Sequence, residues 1–401
     1  MPKRVRSGRW IVISAVLLLA ALVAAHLGIV SSRARRARQA ALAQLAAQRR
    51  QLDALAEHYL RRPDVAPPRL EGGFPCVVAT VGEGKAFPRL GRCGMPGVPS
   101  GPVDQFEMDP RWGSFILRQT DLYLEDVFEV PLTRTYNSTA YRPEMLAFGR
   151  NTSHPFDIAP VGTRHPYTYL MLTLADGTFL FFGRVSPGTG FADAVYQHTE
   201  TATRFYRAVI GWNGSGWTAR LADGARMEFP EAYNAKSLAQ GAATEMTNSS
   251  GRRLELRRDR RRNLLEIRTP HARSIRLAYD DYARIQSAQD DAGHWARYQY
   301  DSQGMLTDAV LSSGSARHYS YDGAYMTQVE DENRRVLVQN SYKSGYLARQ
   351  VFGNGEIYTY TYTGAPNVNY ALRATVTSSD GSQSELELSS SVPDAIKHPP
   401  D

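Results

Sequence analysis

The chain of 401 residues is poor in the patterns by which enzymes are recognised. It has two cysteines, Cys76 and Cys93, and nine histidines that do not cluster. There is no Gly-x-Ser-x-Gly elbow, no His-Glu-x-x-His, no phosphate-binding loop ending in Gly-Lys-Ser/Thr, and no Gly-x-Gly-x-x-Gly after a strand. Those absences exclude the hydrolase, zinc-protease, nucleotide and dinucleotide chemistries that need such spacings. His154 has no acid or nucleophile at a recognisable spacing and reads as a hydrogen-bonded turn residue. Two cysteines without a nearby histidine make a poor metal set. The expectation is a non-enzymatic protein with no cofactor and no metal.

A basic body is missing as well. The net charge of +7 invites a nucleic-acid reading, but residues 1–70 hold 13 Lys and Arg against three acids, which leaves the remainder at −3. The bulk of the chain lacks the footprint that phosphate backbones require, so no nucleic-acid partner is expected. Long apolar runs are also scarce. One, Ile11–Val30, goes 20 residues without Asp, Glu, Lys or Arg, enough to span roughly 30 Å as a helix. Trp10 stands at its start; Lys3, Arg4, Arg6 and Arg9 precede it, and Arg33, Arg35, Arg36 and Arg38 follow. These nearly balanced flanks do not orient the span; the exported character of the rest favours a cytoplasmic N-terminus. A cleaved signal peptide competes with this reading, since Val23-Ala24-Ala25 puts small residues before His26. The expectation is a basic tail at 1–10, a transmembrane helix at 11–30, and a single-pass membrane protein whose body is periplasmic or on the cell surface.

Residues 31–62 are rich in Ala, Leu, Arg and Gln without Gly or Pro, which is helix composition and reads as a juxtamembrane stalk. Leu45, Leu52 and Tyr59 repeat every seven, but Arg49 in the companion seam argues for a solvated helix over a coiled coil. Pro63, Pro67 and Pro68 end it. Residues 63–103 read as a Gly/Pro-rich linker. In an exported body its two cysteines suggest a Cys76–Cys93 disulfide; free thiols are the alternative if the chain is cytosolic. Such a bond closes a loop of 16 intervening residues, worth about 3 kcal/mol if unstrained.

What the chain has in quantity is tyrosine: 22, of which 13 fall between Tyr279 and Tyr370. With frequent Gly and Pro this points to strands and turns. Strands are expected over Phe115–Leu124 and Phe128–Tyr136, and hairpins around Asp176-Gly177, Asp223-Gly224 and Asp380-Gly381. Between Leu254 and Gly364 a repeat steps every 21 residues: Asp259, Asp280, Asp301, Asp322, then Lys343 and Gly364. Before each step stand Arg258, Tyr279, Tyr300, Tyr321, Tyr342 and Thr363; two residues earlier come Leu256, Leu277, Tyr298 and Tyr319. An apolar residue follows at Leu264, Ile285 and Leu306, and one position early at Met326 and Leu347. In one unit Tyr298 and Tyr300 share a strand face, Asp301 opens a turn and Gly304 closes it, so each unit reads as a β-hairpin. A single hairpin is barely stable in water, which is why such units come in series. The Asp residues read as turn caps, not a cation ladder.

These residues resemble the YD repeats of the Rhs and teneurin-like families, with Tyr279-Asp280, Tyr300-Asp301 and Tyr321-Asp322 as direct matches and Arg258-Asp259 and Tyr342-Lys343 as degenerate ones. Upstream, Asp121-Leu122-Tyr123-Leu124, then Arg134-Thr135-Tyr136-Asn137-Ser138, then Ser153-His154-Pro155-Phe156-Asp157 resemble the segment that opens the β-rich shell of Rhs proteins, with Thr152 where Trp is usual. The resemblance implies a mainly β fold of repeated antiparallel hairpins forming a sheet or partial shell, with an Rhs-type β region at 104–250, YD hairpins at 251–375 and a last hairpin and tail at 376–401. It implies a membrane-tethered envelope protein for binding, adhesion or scaffolding, with a glycan or protein partner; most of the tyrosines read as packing against one another across adjacent hairpins, with an exposed sugar-stacking stripe as the lesser alternative. The alternative is the shell portion of an Rhs toxin system without its toxin, although six units look too few to close a container.

Overall fold

The computed structural model describes residues 32–60 except 45, 48, 49, 52 and 56, the backbone of 74–82 and 85–93, and residues 105–387 except 110, 111, 128, 140–144, 178, 200–203 and 365–372. Residues 32–60 are helical wherever described. Up to residue 54 this helix belongs to a unit of its own; the larger unit starts at Leu55. Within the larger unit, the last helical turn is anchored. Tyr59 is buried, its hydroxyl donates to the Val185 carbonyl at 2.7 Å, and its carbonyl accepts from Gln197 Nε2 at 3.2 Å. No described helix is long and apolar enough to cross a membrane; the span expected at 11–30 lies outside the described residues.

The larger unit is built from two large sheets that share one core, with a small two-stranded sheet, Met145–Leu146 paired with Gly149–Arg150, beside them. The inner sheet has six strands in the order Lys85–Cys93, Phe74–Gly82, Gln105–Asp109, Ser114–Leu124, Val130–Asn137 and Thr152–Ser153. Its first two strands correct the expected linker: Phe74–Gly82 pairs antiparallel with Lys85–Cys93. The run Val77-Val78-Ala79-Thr80-Val81 is strand-forming, and Pro88 sits on the edge strand, where its missing N–H costs nothing. In that register Cys76 lies opposite Gly91 and Cys93 opposite Phe74. The expected disulfide concerns side chains outside the described residues.

Strands Ser114–Leu124 and Val130–Asn137 are buried along nearly their whole length, without the in-and-out alternation of a strand that has one face in water. Both of their faces are covered, and this follows from the second sheet. Twenty-one strands, running from Ala159–Gly162 to Gln383–Glu387, follow one another as an antiparallel ribbon closed into a barrel. The 21-residue repeats supply six of its hairpins: Arg253–Arg258 with Leu264–Arg268, Ser274–Tyr279 with Ile285–Asp290, Trp295–Tyr300 with Leu306–Leu311, Ala316–Asp322 with Tyr325–Glu330, Val336–Lys343 with Tyr346–Phe352, and Ile357–Thr363 with Arg373–Ser378. Eight strands from the upstream region and the last strand, Gln383–Glu387, complete the ring, which is how six units take part in a closed barrel. Closure removes the sheet edges that would otherwise invite aggregation.

A barrel of this strand number would enclose a lumen. Here the inner sheet packs into it. Phe106, Phe115, Leu117, Leu132 and Tyr136 join Leu256, Ile275, Ile285, Leu306, Val338 and Tyr358 of the ribbon in one core. Ring contacts cross between the layers, Phe106 to Phe352 at 6.0 Å and Tyr136 to Tyr321 at 6.1 Å, and Phe148, in the turn between Met145–Leu146 and Gly149–Arg150, meets Tyr298 at 4.9 Å.

Candidate functional site

The repeat register becomes chemistry at the turns. The Asp301 carboxylate accepts from the backbone N–H of Gln303 at 2.9 Å and of Met305 at 2.8 Å, and Gly304 takes φ of 85°. Asp280 does the same for Tyr282 and Arg284, and Asp259 for Asn263. These carboxylates are occupied by local donors, as turn caps are, and no His/Cys/Asp/Glu cluster that could hold a metal occurs among the described residues. Asp322 and Lys343 differ. Each closes a loop of only two residues, pairing directly with Tyr325 and Tyr346. Gly323, and Ser344 with Gly345, take the positive φ that such tight loops demand. The loops are shorter, so the following apolar residues, Met326 and Leu347, arrive one position early.

The tyrosine before each step forms a ladder. Tyr279 donates its hydroxyl to Leu264 O at 3.0 Å, Tyr300 to Ile285 O at 2.6 Å, Tyr321 to Leu306 O at 2.8 Å, Tyr342 to Met326 O at 3.0 Å and Tyr362 to Leu347 O at 2.7 Å. In the repeats themselves each acceptor is the first apolar residue after the previous turn, where the pairing register shifts by a β-bulge. A bulge leaves ladder groups unpaired, and the next repeat's hydroxyl satisfies one. Arg258, the degenerate first member, reaches the same place: its Nε donates to Ala243 O at 3.0 Å, 15 residues back. The rings pack on the core. Burial raises the hydroxyl pKa of Tyr279, Tyr300, Tyr321 and Tyr342 above the phenolic range, so they stay protonated donors. The tyrosines before the step thus pack inward with their hydroxyls on backbone carbonyls, and they do not form the exposed stripe that the lesser alternative of sugar contact needed.

The opening segment is the counterpart of this ladder. A register shift between Thr120 and Leu122 leaves Asp121 in a bulge, with its carboxylate buried. Arg134 lies against it, Nε to Oδ2 at 2.5 Å and Nη2 to Oδ1 at 2.9 Å, a two-point pair with both side chains under 5% exposed. Arg134 Nη1 also donates to the Tyr319 hydroxyl at 3.0 Å, which in turn donates to Gln119 Oε1. The Tyr298 hydroxyl donates to Asp121 Oδ2 at 2.7 Å. The guanidinium carbon sits 5.5 and 5.7 Å from the rings of Tyr298 and Tyr319. Burial works against the charge on Arg134, but Asp121 outweighs it and holds the pKa above its ordinary value. The second tyrosines of two repeats thus grip a buried ion pair on the inner sheet.

The other motif residues are also clasps. Thr135 Oγ1 accepts from Arg118 Nη1 at 3.4 Å; Arg118 in turn pairs with Glu107 at 3.1 Å and Asp176 at 2.8 Å. The Tyr136 hydroxyl donates to Ala324 O at 2.7 Å and accepts from Met326 N at 2.9 Å, in the Asp322 loop. Asn137 Nδ2 donates to Asp176 O at 2.7 Å. Asp157 receives Arg258 Nη1 at 2.8 Å, and Phe156 O accepts from Arg258 Nη2. His154 is the exception. It is fully buried between Phe148 and Phe156, and neither ring nitrogen has a hydrogen-bond partner. The nearest carboxylate oxygen, Asp157 Oδ2, lies 3.6 Å from Nε2. Burial lowers its pKa, so the ring is neutral. The hydrogen-bonded turn expected at His154 is made by backbone, Asp157 N to His154 O at 3.1 Å, and not by the ring.

Sequence reasoning missed the turns at the opposite end of the hairpins. Asp290 accepts from Ala292 N and His294 N there, and Asp331 from Asn333 N and Arg335 N. Their signal was present as Asp residues ten or so positions after the repeat Asp.

A family model described as a domain of unknown function, DUF6531, matches residues 108–182, the stretch that carries the clasp. No curated protein matches the chain. Solved structures that match include TcdB2-TccC3 (12% identity, TM-score 0.29, covering 71% of this chain and 20% of that one) and TcdB2-TccC3 without its hypervariable C-terminal region (12%, 0.29, 71% and 19%). A Photorhabdus luminescens Tc holotoxin pore matches at 12% identity and TM-score 0.24, covering 70% and 16%. The chain spans about a fifth of the length of these structures.

Proposed function

We propose that this chain is a short YD-repeat module of the Rhs type that acts by binding, adhesion or scaffolding in the cell envelope, tethered through residues 11–30, and that it is not an enzyme. The observation that carries the reading is the filled lumen. A shell used as a container needs room for cargo, whereas this ribbon closes on Phe106, Phe115, Leu117, Leu132 and Tyr136 of the chain's own inner sheet. A packed body supports a surface role. With the tyrosine ladder turned inward, sugar contact falls to outward aromatic surface such as Phe191, 44% exposed and 5.0 Å from the half-buried Trp212. The competing reading, the shell portion of an Rhs toxin system, draws on the same resemblance and requires cargo carried elsewhere in a longer chain.

Protease added to spheroplasts expressing the full chain tests the tether and the compartment. Digestion of the body with a cytosolic control intact is expected. Equal protection of both overturns the exported reading, and a soluble mature protein beginning near His26 overturns the tether.

A further inference from the structure

In an antiparallel ribbon every second connection falls at the same end. Three such connections, residues 163–168, residues 185–194 and the turn that begins at Trp212, bring a row of aromatic rings to one end of the barrel. His165 lies 5.9 Å from Tyr167, Tyr167 lies 5.9 Å from Phe191, and Phe191 lies 5.0 Å from Trp212. His165 and Phe191 are exposed, and Tyr167 and Trp212 are half-buried. An exposed phenylalanine forgoes the burial its ring would gain, yet the loop that displays Phe191 is held firmly. Arg184 uses all five of its N–H donors on it: to the carbonyls of Ser186 at 3.1 Å, Tyr167 at 3.0 Å, Gly190 at 2.7 Å and Pro187 at 2.9 Å, and to Asp193 Oδ1 at 3.0 Å. A loop fixed in this way before a ligand arrives is preorganised for binding.

The polar groups around the row decide what it would hold. Two ion pairs flank it, Arg184 with Asp193 and Arg164 with Glu231 at 2.9 Å, and the Arg164 guanidinium also lies over the Tyr167 ring. In both pairs the acid is the more exposed partner; Asp193 is 57% exposed and Arg184 7%. The charge is balanced within the protein, and what faces outward is acceptor oxygen. That arrangement disfavours phosphate polymers and anionic lipid, which need outward cations. It suits a ligand with apolar faces for the rings and hydroxyl donors for the carboxylates, which is the chemistry of an uncharged sugar. The steps of 5.0 to 5.9 Å between rings suit a chain of sugars better than a single one. We propose that this row binds a linear neutral oligosaccharide, whose ring faces stack on Tyr167, Phe191 and Trp212 and whose hydroxyls donate to Asp193. The proposal rests on the binding role given above and assigns it a site and a ligand class.

The test is calorimetric titration of the full chain, in a detergent without a sugar headgroup, with cello-, chito- and malto-oligosaccharides of two and four units and with tetragalacturonate. Saturable binding of at least one neutral tetrasaccharide is expected, tighter than that of its disaccharide and than that of tetragalacturonate. Phe191→Ala is expected to weaken it at least about tenfold. Phe191→Tyr should retain it, and Tyr282→Ala, which removes an exposed aromatic ring at another turn, should leave it unchanged. No binding of any neutral tetrasaccharide overturns the proposal, as does tighter binding of tetragalacturonate or undiminished binding in Phe191→Ala. Self-association of the full chain that Phe191→Ala abolishes, in sedimentation without sugar binding, assigns the row to contact between copies and overturns the proposal as well. The protease experiment is read separately: an exported body that binds no sugar sinks this site alone, and a protected body that binds sugar sinks the envelope reading alone.

Discussion

Replacing Arg134 by Met isolates the grip of the repeats on the inner sheet. The substitution keeps most of the volume and removes both bonds to Asp121 and the bond to Tyr319. Asp121 then keeps the Tyr298 hydroxyl as the side-chain donor seen in the structure, and its charge stays buried. Removing one partner of a buried ion pair costs about 3–5 kcal/mol, most of it the penalty on the charge left behind. The double variant Arg134→Met/Asp121→Asn removes that charge, while Asn retains a carbonyl oxygen for Tyr298. It should recover at least about 2 kcal/mol of the single variant's loss, a coupling within the range for residues in contact. Urea unfolding followed by tryptophan fluorescence reads both, with unchanged m-values showing that the same surface is exposed. A single variant that loses less than about 1 kcal/mol refutes the reasoning, as does a double variant no more stable than the single one.

Other variants probe the remaining parts. Tyr321→Phe should cost about 1–3 kcal/mol, because the Leu306 carbonyl at the bulge loses the hydroxyl donor it has at 2.8 Å; thermal unfolding reads it, and a cost like that of the exposed Tyr282→Phe would dismiss the ladder. Gly149→Ala should destabilise more than Gly251→Ala: both have positive φ, but a Cβ on Gly149 would run into the Gly304 carbonyl oxygen, while one on Gly251 meets open space. His154 has a folded-state pKa lowered by burial, so its contribution is fully present above its unfolded value and is lost as pH falls below it; His154→Phe should flatten the stability profile between pH about 6.5 and 5, and an unchanged slope would place the titration elsewhere. For Asp126, burial alone would raise the pKa, but hydrogen bonds from Thr269, Val127 N–H and His271 outweigh it and hold it at about 2; its share of stability is present above the usual carboxylate pKa and lost as pH falls toward 2, so Asp126→Asn should lose that acid limb.

The units were legible because turn chemistry is local. Asp301 and Gly304 are three residues apart, and the requirement for a capping oxygen and a positive φ is written in those two positions alone. The early arrival of Met326 and Leu347 was visible too, although its cause, a loop of two residues, needed the paired strands to be seen. Burial on both faces of Ser114–Leu124 was not legible, because a strand sequence shows its alternation and not what will cover its second face. Nothing local announces that Gln119 and Arg134 are buried, because their partner Tyr319 lies up to 200 positions away.

The same distinction explains why the repeat Tyr is aromatic with a hydroxyl. A phenylalanine would fill the core equally well, and packing alone would tolerate it. What calls for the hydroxyl is the bulge of the preceding unit, which needs a donor about 15 residues downstream and about one ring length from the strand. Arg258 supports this account, since it keeps the donor, loses the aromatic ring, and uses its spare nitrogens to hold Phe156 and Asp157 of the opening segment. The degenerate first repeat is thus the joint at which the ribbon is fastened to the segment that precedes it. Each later unit is fastened in turn to the one before, so stability passes along the ribbon as a series of neighbour contacts, while the Arg134–Asp121 pair ties the third and fourth units directly to the centre.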